Sequence, residues 1–92
     1  MANIQVKSVD ATTFEVTVAA RTTTRHTVRV TPGYAEQLVQ GRAGPAELVE
    51  KSFEFLLERE PNTSILRSFD LPVIGRYFTE YEATMRKAFA AR

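Results

Sequence analysis

Pro45-Ala46-Glu47-Leu48-Val49-Glu50-Lys51-Ser52-Phe53-Glu54-Phe55-Leu56-Leu57-Glu58-Arg59 carries the strongest helical pattern in the chain. At about 100° per residue, Leu48, Val49, Ser52, Phe53 and Leu56 share one side, and Phe55 and Leu57 widen it to roughly 200°. Glu47, Glu50, Lys51, Glu54 and Glu58 fill the remaining strip. A helix on a protein surface needs an apolar stripe of only about 100°. This helix therefore needs cover on two sides. Its six large apolar side chains represent a gross burial term on the order of 10 kcal/mol. Either the rest of the chain or a second copy must supply the cover.

Residues N-terminal to this helix read as strands. Phe14-Glu15-Val16-Thr17-Val18-Ala19-Ala20 and Arg25-His26-Thr27-Val28-Arg29-Val30 both alternate with period two, the pattern of a half-buried strand. Phe14, Val16, Val18, Val28 and Val30 fall on a core face with His26, and Arg25, Thr27 and Arg29 fall on the other. Ile4 and Val6 also alternate, as a short first strand or an extended arm. Two strands alone are marginal in water, so the sheet must lie on helices or gain further strands. Thr31-Pro32 opens a first helix, with threonine at the cap and proline in the first turn, and Gly41 ends it.

Arg59-Glu60-Pro61 stops the central helix. Asn62-Thr63-Ser64 provides caps for a short helical turn over Ile65–Phe69. Leu71, Ile74, Phe78, Tyr81, Met85 and Ala88 recur at helical spacing. Gly75 weakens that stripe, and Thr79 with Glu82 makes a capping box, so two short helices or one kinked helix is expected. The predicted fold is α+β: an N-terminal antiparallel β-hairpin or meander, then about four helices around the central amphipathic helix 45–59. Length allows one domain, 1–92.

Composition excludes several classes. The chain is 43% hydrophobic and 25% charged, as in soluble globular proteins. It has no cysteine, which removes disulfides and thiolate metal sites. No stretch approaches the ~18 apolar residues of a membrane span, and Met1–Lys7 does not read as a signal peptide. A cytoplasmic protein without membrane association is the default expectation. Net charge is +1 but unevenly placed. Residues 32–60 hold six glutamates against three basic groups, and basic residues are in excess on either side.

Catalytic chemistry finds little support. His26 is the only histidine and lies on the inward side of a strand. Ser64, Ser68 and Asp70 can be grouped with it only nominally, and there is no nucleophile-elbow sequence. The glutamates of helix 45–59 form a solvated strip. The four glycines are scattered and build no phosphate loop. No metal-ligand set is visible. The expectation is a protein that is not an enzyme, with no cofactor and no small-molecule substrate. The aromatic group Phe69, Tyr77, Phe78, Tyr81 and Phe89 has two readings. It is core against the central helix, or else Arg76, Tyr77 and Tyr81 offer a contact surface to a partner.

From Arg25 to Arg59 the order is strand, capped helix, short loop, second helix. Thr27-Val28-Arg29-Val30-Thr31 gives outward polar, inward apolar, then helix cap. Leu48-Val49-Glu50-Lys51-Ser52-Phe53 gives an amphipathic second helix. This order resembles the ribbon–helix–helix family of DNA-binding proteins. The resemblance implies a homodimer whose paired strands enter the major groove, with Arg25, Thr27 and Arg29 as the DNA-contacting residues. The competing pairing joins residues 25–30 to Phe14–Ala20 of the same chain. Separately, Leu57–Leu71 resembles a group of small bacterial proteins without an assigned function, which implies a bacterial cytoplasmic origin. The leading functional expectation is a small non-catalytic binding module that acts through protein–protein contacts or self-association. The alternative is a DNA-binding homodimer.

Overall fold

The computed structural model describes residues 3–91 as an α+β fold. Three strands come first, β1 (Asn3–Ser8), β2 (Thr13–Ala19) and β3 (Thr23–Arg29). Helices α1 (Pro32–Val39) and α2 (Pro45–Leu57) follow. A 3-10 turn at Asn62–Ser64 leads into β4 (Ser68–Asp70), and a second, Leu71–Val73, leads into α3 (Ile74–Tyr77) and α4 (Tyr81–Ala90). The sheet order is β1-β2-β3-β4. The first three strands form an antiparallel meander, and β4 joins β3 in parallel.

The meander follows from alternation. Val16 faces Val6 and His26 across the ladders, and Phe14 faces Val28, so the branched and aromatic side chains share one face. Phe14, Val16, Val18 and Val28 are all buried on that face. Asp10 builds the β1–β2 turn. Its Oδ1 accepts from the backbone N–H of Thr12 at 3.0 Å and of Thr13 at 2.9 Å. These bonds, the Thr12 backbone bond first, favour the ionised form and hold the carboxyl below its ordinary 3.8. A depressed carboxyl stabilises the folded state above its unfolded pKa, and that contribution fades as pH falls through the lowered value.

Helix α1 starts as its sequence dictates. Thr31 is the cap, and its Oγ1 accepts from the Tyr34 N–H at 3.3 Å. The end differs slightly: Gln40 enters the left-handed region first, at φ 51°, and Gly41 follows at φ 73°. Glycine suits the second position, where any other residue would be strained.

Helix α2 is two residues shorter than its sequence pattern, because the last turn unwinds before Pro61. Leu48, Val49, Ser52, Phe53, Phe55 and Leu56 are buried, and both flanks are covered from within the chain. On the sheet side, the Phe53 ring lies 5.3 Å from His26 and 6.1 Å from Phe69. On the other side, Phe55 meets Phe78 at 5.8 Å and Tyr81 at 5.4 Å, both edge-on.

Two expectations require correction. Ile65–Phe69 is not a helical turn. The chain runs extended from Ile65, and the Thr27 N–H donates to the Arg67 carbonyl at 2.7 Å. Pairing with β3 outweighs the weak local helical preference. The stripe from Leu71 to Ala88 is divided between two short helices, α3 and α4, which is one of the two arrangements expected. The Thr79–Glu82 capping box does not form, since the cap position of α4 falls on Glu80 and has no side-chain cap bond.

Between α2 and α4 lies a buried polar contact. Ser52 Oγ is 2.7 Å from the Leu48 carbonyl and 2.6 Å from the Tyr81 hydroxyl. A carbonyl only accepts, so Ser52 donates to Leu48 and Tyr81 donates to Ser52. Burial holds the Tyr81 hydroxyl well above the ordinary tyrosine range.

Two predictions follow from these contacts. Ser52→Ala orphans a buried hydroxyl and is expected to cost about 1–3 kcal/mol, whereas Tyr81→Phe should cost about 1 kcal/mol. The double variant should be more stable than Ser52→Ala alone, as read from urea midpoints. In the turn, the Thr12 and Thr13 amide NMR shifts should titrate with an apparent pKa below 3.8 and lose that titration in Asp10→Ala.

Candidate functional site

One face of the sheet carries the helices and the other is open. The registers place its side chains in rows: Gln5–Thr17–Arg25, then Lys7–Glu15–Thr27–Ser68, then Thr13–Arg29–Asp70. Arg25, Thr27 and Arg29 all stand on this face, as their alternation predicts. Arg25 and Arg29 are exposed and Thr27 is half-buried. Arg29 Nε donates to Asp70 Oδ1 at 2.9 Å, and the ladder sets Lys7 beside Glu15. β3 is bonded on one side to β2 and on the other to β4. The two-copy ribbon implied by the ribbon–helix–helix resemblance needs an edge that these neighbours occupy.

His26 does not meet Ser68 or Asp70, because it points from β3 into the core and they occupy the open face. It is 2% exposed, and both ring nitrogens are engaged. Nδ1 lies 2.8 Å from the Leu66 carbonyl and therefore carries the proton. Nε2 accepts from Thr24 Oγ1 at 2.9 Å, and Thr24 in turn accepts from Asn62 Nδ2 at 2.9 Å. Asn62 also donates to the Thr22 carbonyl at 2.7 Å. This chain of hydrogen bonds ties residues 62–66 to β3. The tie fixes one wall of the cleft described next.

The cleft lies between the segment leading into β4 and the short helix α3. Its volume is about 400 Å³, within the ~300–1,000 Å³ range of ligand sites. Buried Leu56, Ile65, Phe69 and Ile74 are among its lining residues, with Leu66, Val73, Tyr77 and Phe78 more exposed around them. The polar side chains lining it are those of Glu60 and Ser64. Leu66 is 50% exposed and Tyr77 71%. Apolar surface favours burial, and here two large side chains stand exposed beside an apolar depression. The opening exists because α3 is a single turn and residues 65–67 run extended beneath it.

The predicted partner surface is only partly accessible. Arg76 and Tyr77 are exposed on α3. Tyr81 is not available to a partner. It is 0% exposed, packed edge-on against Phe55 and bonded to Ser52. Phe69 and Phe89 are also core, so the aromatic group divides into a buried set, the half-buried Phe78 and the exposed Tyr77. The sequence reading grouped Phe69 with Tyr77 but missed Leu66 and Glu60, since treating 65–69 as helical hid how Leu66 converges on Tyr77. The pairing of an apolar with a basic residue in both Leu66-Arg67 and Arg76-Tyr77 is the only local hint.

No group of three or more His, Asp or Glu able to hold a metal ion is present among the described residues. No helix among them is long and apolar enough to cross a membrane. A comparison of the chain with protein-family models, curated proteins and solved structures finds no match in any of the three. The fold and site therefore define the protein by architecture: an open-faced α+β domain with an apolar cleft at the β4 edge of its sheet.

Asn62→Ala removes the donor that serves Thr22 and Thr24 and leaves acceptors unpaired. It is expected to lower stability by about 1–3 kcal/mol. It should also speed amide exchange at Thr27, whose N–H bonds the Arg67 carbonyl, more than at Val16 in the meander, as measured by hydrogen–deuterium exchange.

Proposed function

We propose that this protein is a non-catalytic binding module that docks onto a partner protein by taking one of its side chains into the cleft between α3 and β4. The observation that carries this reading is the exposure of Leu66 and Tyr77, 50% and 71%, beside an apolar depression of about 400 Å³. An interface of this kind gains most from a buried anchor in a desolvated pocket, with the surrounding contacts supplying complementarity. The engagement of both His26 nitrogens in the core, and the solvated position of Glu47, Glu50, Glu54 and Glu58 on α2, support a role without chemistry.

A second reading, DNA binding through Arg25, Thr27 and Arg29, draws on one observation. Arg25 stands exposed with no ion pair among the described residues. Against it, the open face sets Lys7, Arg25 and Arg29 against Glu15 and Asp70. Affinity for a phosphate backbone grows with the number of phosphates neutralised, and so nearly balanced a face supplies little of it.

A photo-crosslinking side chain placed at Tyr77 is expected to give discrete protein adducts in cells, and Leu66→Asp should abolish them. The same side chain at Arg25 should give none. Adducts from Arg25 alone would reverse the assignment of the docking face. Binding of a random-sequence DNA duplex pool at low salt, lost in Arg25→Ala, would favour the second reading.

A further inference from the structure

The cleft is apolar except at Glu60 and Ser64, and Glu60 is its one charged residue. Glu60 reaches into its lining and is half-buried, and its carboxylate has neither an ion pair nor a side-chain hydrogen bond among the described residues. The adjacent cation does not neutralise it. The Arg59 guanidinium lies 3.5 Å over the Phe55 ring, donates to the Phe55 carbonyl at 2.9 Å and pairs with Glu58 and Glu80. A carboxylate beside apolar walls attracts a cation whose stem those walls can cover. The same walls include the aromatic rings of Phe69, Tyr77 and Phe78, surfaces that attract cations and pack against methylene chains.

Resting on the docking reading above, we infer that the side chain the cleft accepts is a lysine or arginine of the partner, its stem against Phe69, Tyr77 and Phe78 and its charged end on Glu60. An aliphatic side chain would fill the walls and leave the carboxylate unpaired. An acidic one would be repelled by it. A long cation with an apolar stem satisfies both parts of the cleft, and the charge complementarity singles out the occupant.

The probes are Nα-acetyl amino-acid N-methylamides of lysine, arginine and norleucine, which share a backbone and, for lysine and norleucine, nearly the same stem. Each is titrated into the full chain and followed by the amide shifts of Leu66 and Tyr77. Lysine and arginine are expected to bind about fivefold more tightly than norleucine, with the advantage shrinking as salt is raised. Glu60→Gln, which keeps the shape of the side chain, should bring the three to parity. Glu50→Gln, on the solvated strip of α2, should leave the preference intact. Equal affinity of lysine and norleucine for the unaltered protein would overturn the inference while leaving the cleft as a docking site. A preference that persists in Glu60→Gln would also overturn it. If no probe moves Leu66 or Tyr77 up to its solubility limit, both the inference and the side-chain-accepting cleft fail.

Discussion

The constraint on which the whole arrangement depends is the two-sided burial of α2. A helix with an apolar arc of roughly 200° cannot rest on a single surface. In this fold the sheet takes the side of Phe53, and α3 and α4 take the side of Phe55. Every other element is placed by that requirement. The meander presents Val16, Val18 and Val28 to the helix, and α1 is linked to α4 by the Tyr34 hydroxyl, which donates to Glu82 at 2.8 Å. Where both flanks must be satisfied by 92 residues, the cover becomes thin at its ends. The cleft lies at such a thin place, between the end of α2 and a helix of one turn.

Legibility in the sequence follows the range of the interactions that decide each element. Helix α2, the β2–β3 hairpin and the Thr31 cap rest on periodicity and on contacts a few residues away, so they can be read directly. β4 cannot. Ser68-Phe69-Asp70 has no alternation long enough to mark a strand, and its conformation is decided by Thr27, Val28 and Arg29 far back in the chain. The cleft inherits that difficulty, because Leu66 and Phe69 meet Tyr77 only once β4 is in place. Tyr81 illustrates a different limit. Its helical phase places it equally well on a core or on a contact face. Its burial is set by contacts on another helix, the Phe55 ring and the Ser52 hydroxyl.

The polar residues in the core serve geometry. Along the series from Asn62 through Thr24 and His26 to the Leu66 carbonyl, no fully buried side-chain donor or acceptor lacks a partner. Such a fully satisfied network specifies one arrangement of the 62–66 segment where apolar packing alone would tolerate several. It explains how a loop without regular structure can hold an exposed leucine in a fixed place. The open face of the sheet is the opposite case: its threonines and balanced charges are solvated, and little there favours one partner over another.

The parallel joint between β3 and β4 has a kinetic consequence. Thr27 and Ser68 lie forty-one positions apart, and closing a loop of that length carries an entropic cost that short hairpins avoid. The meander's hairpins join near neighbours, whereas β4 pairs only with β3 and needs that strand beside it. The wall of the cleft that residues 65–69 supply therefore exists only where this segment is docked on β3. A partner held there would gain affinity only from molecules that have finished folding, so occupancy of the site would double as a check on the integrity of the domain.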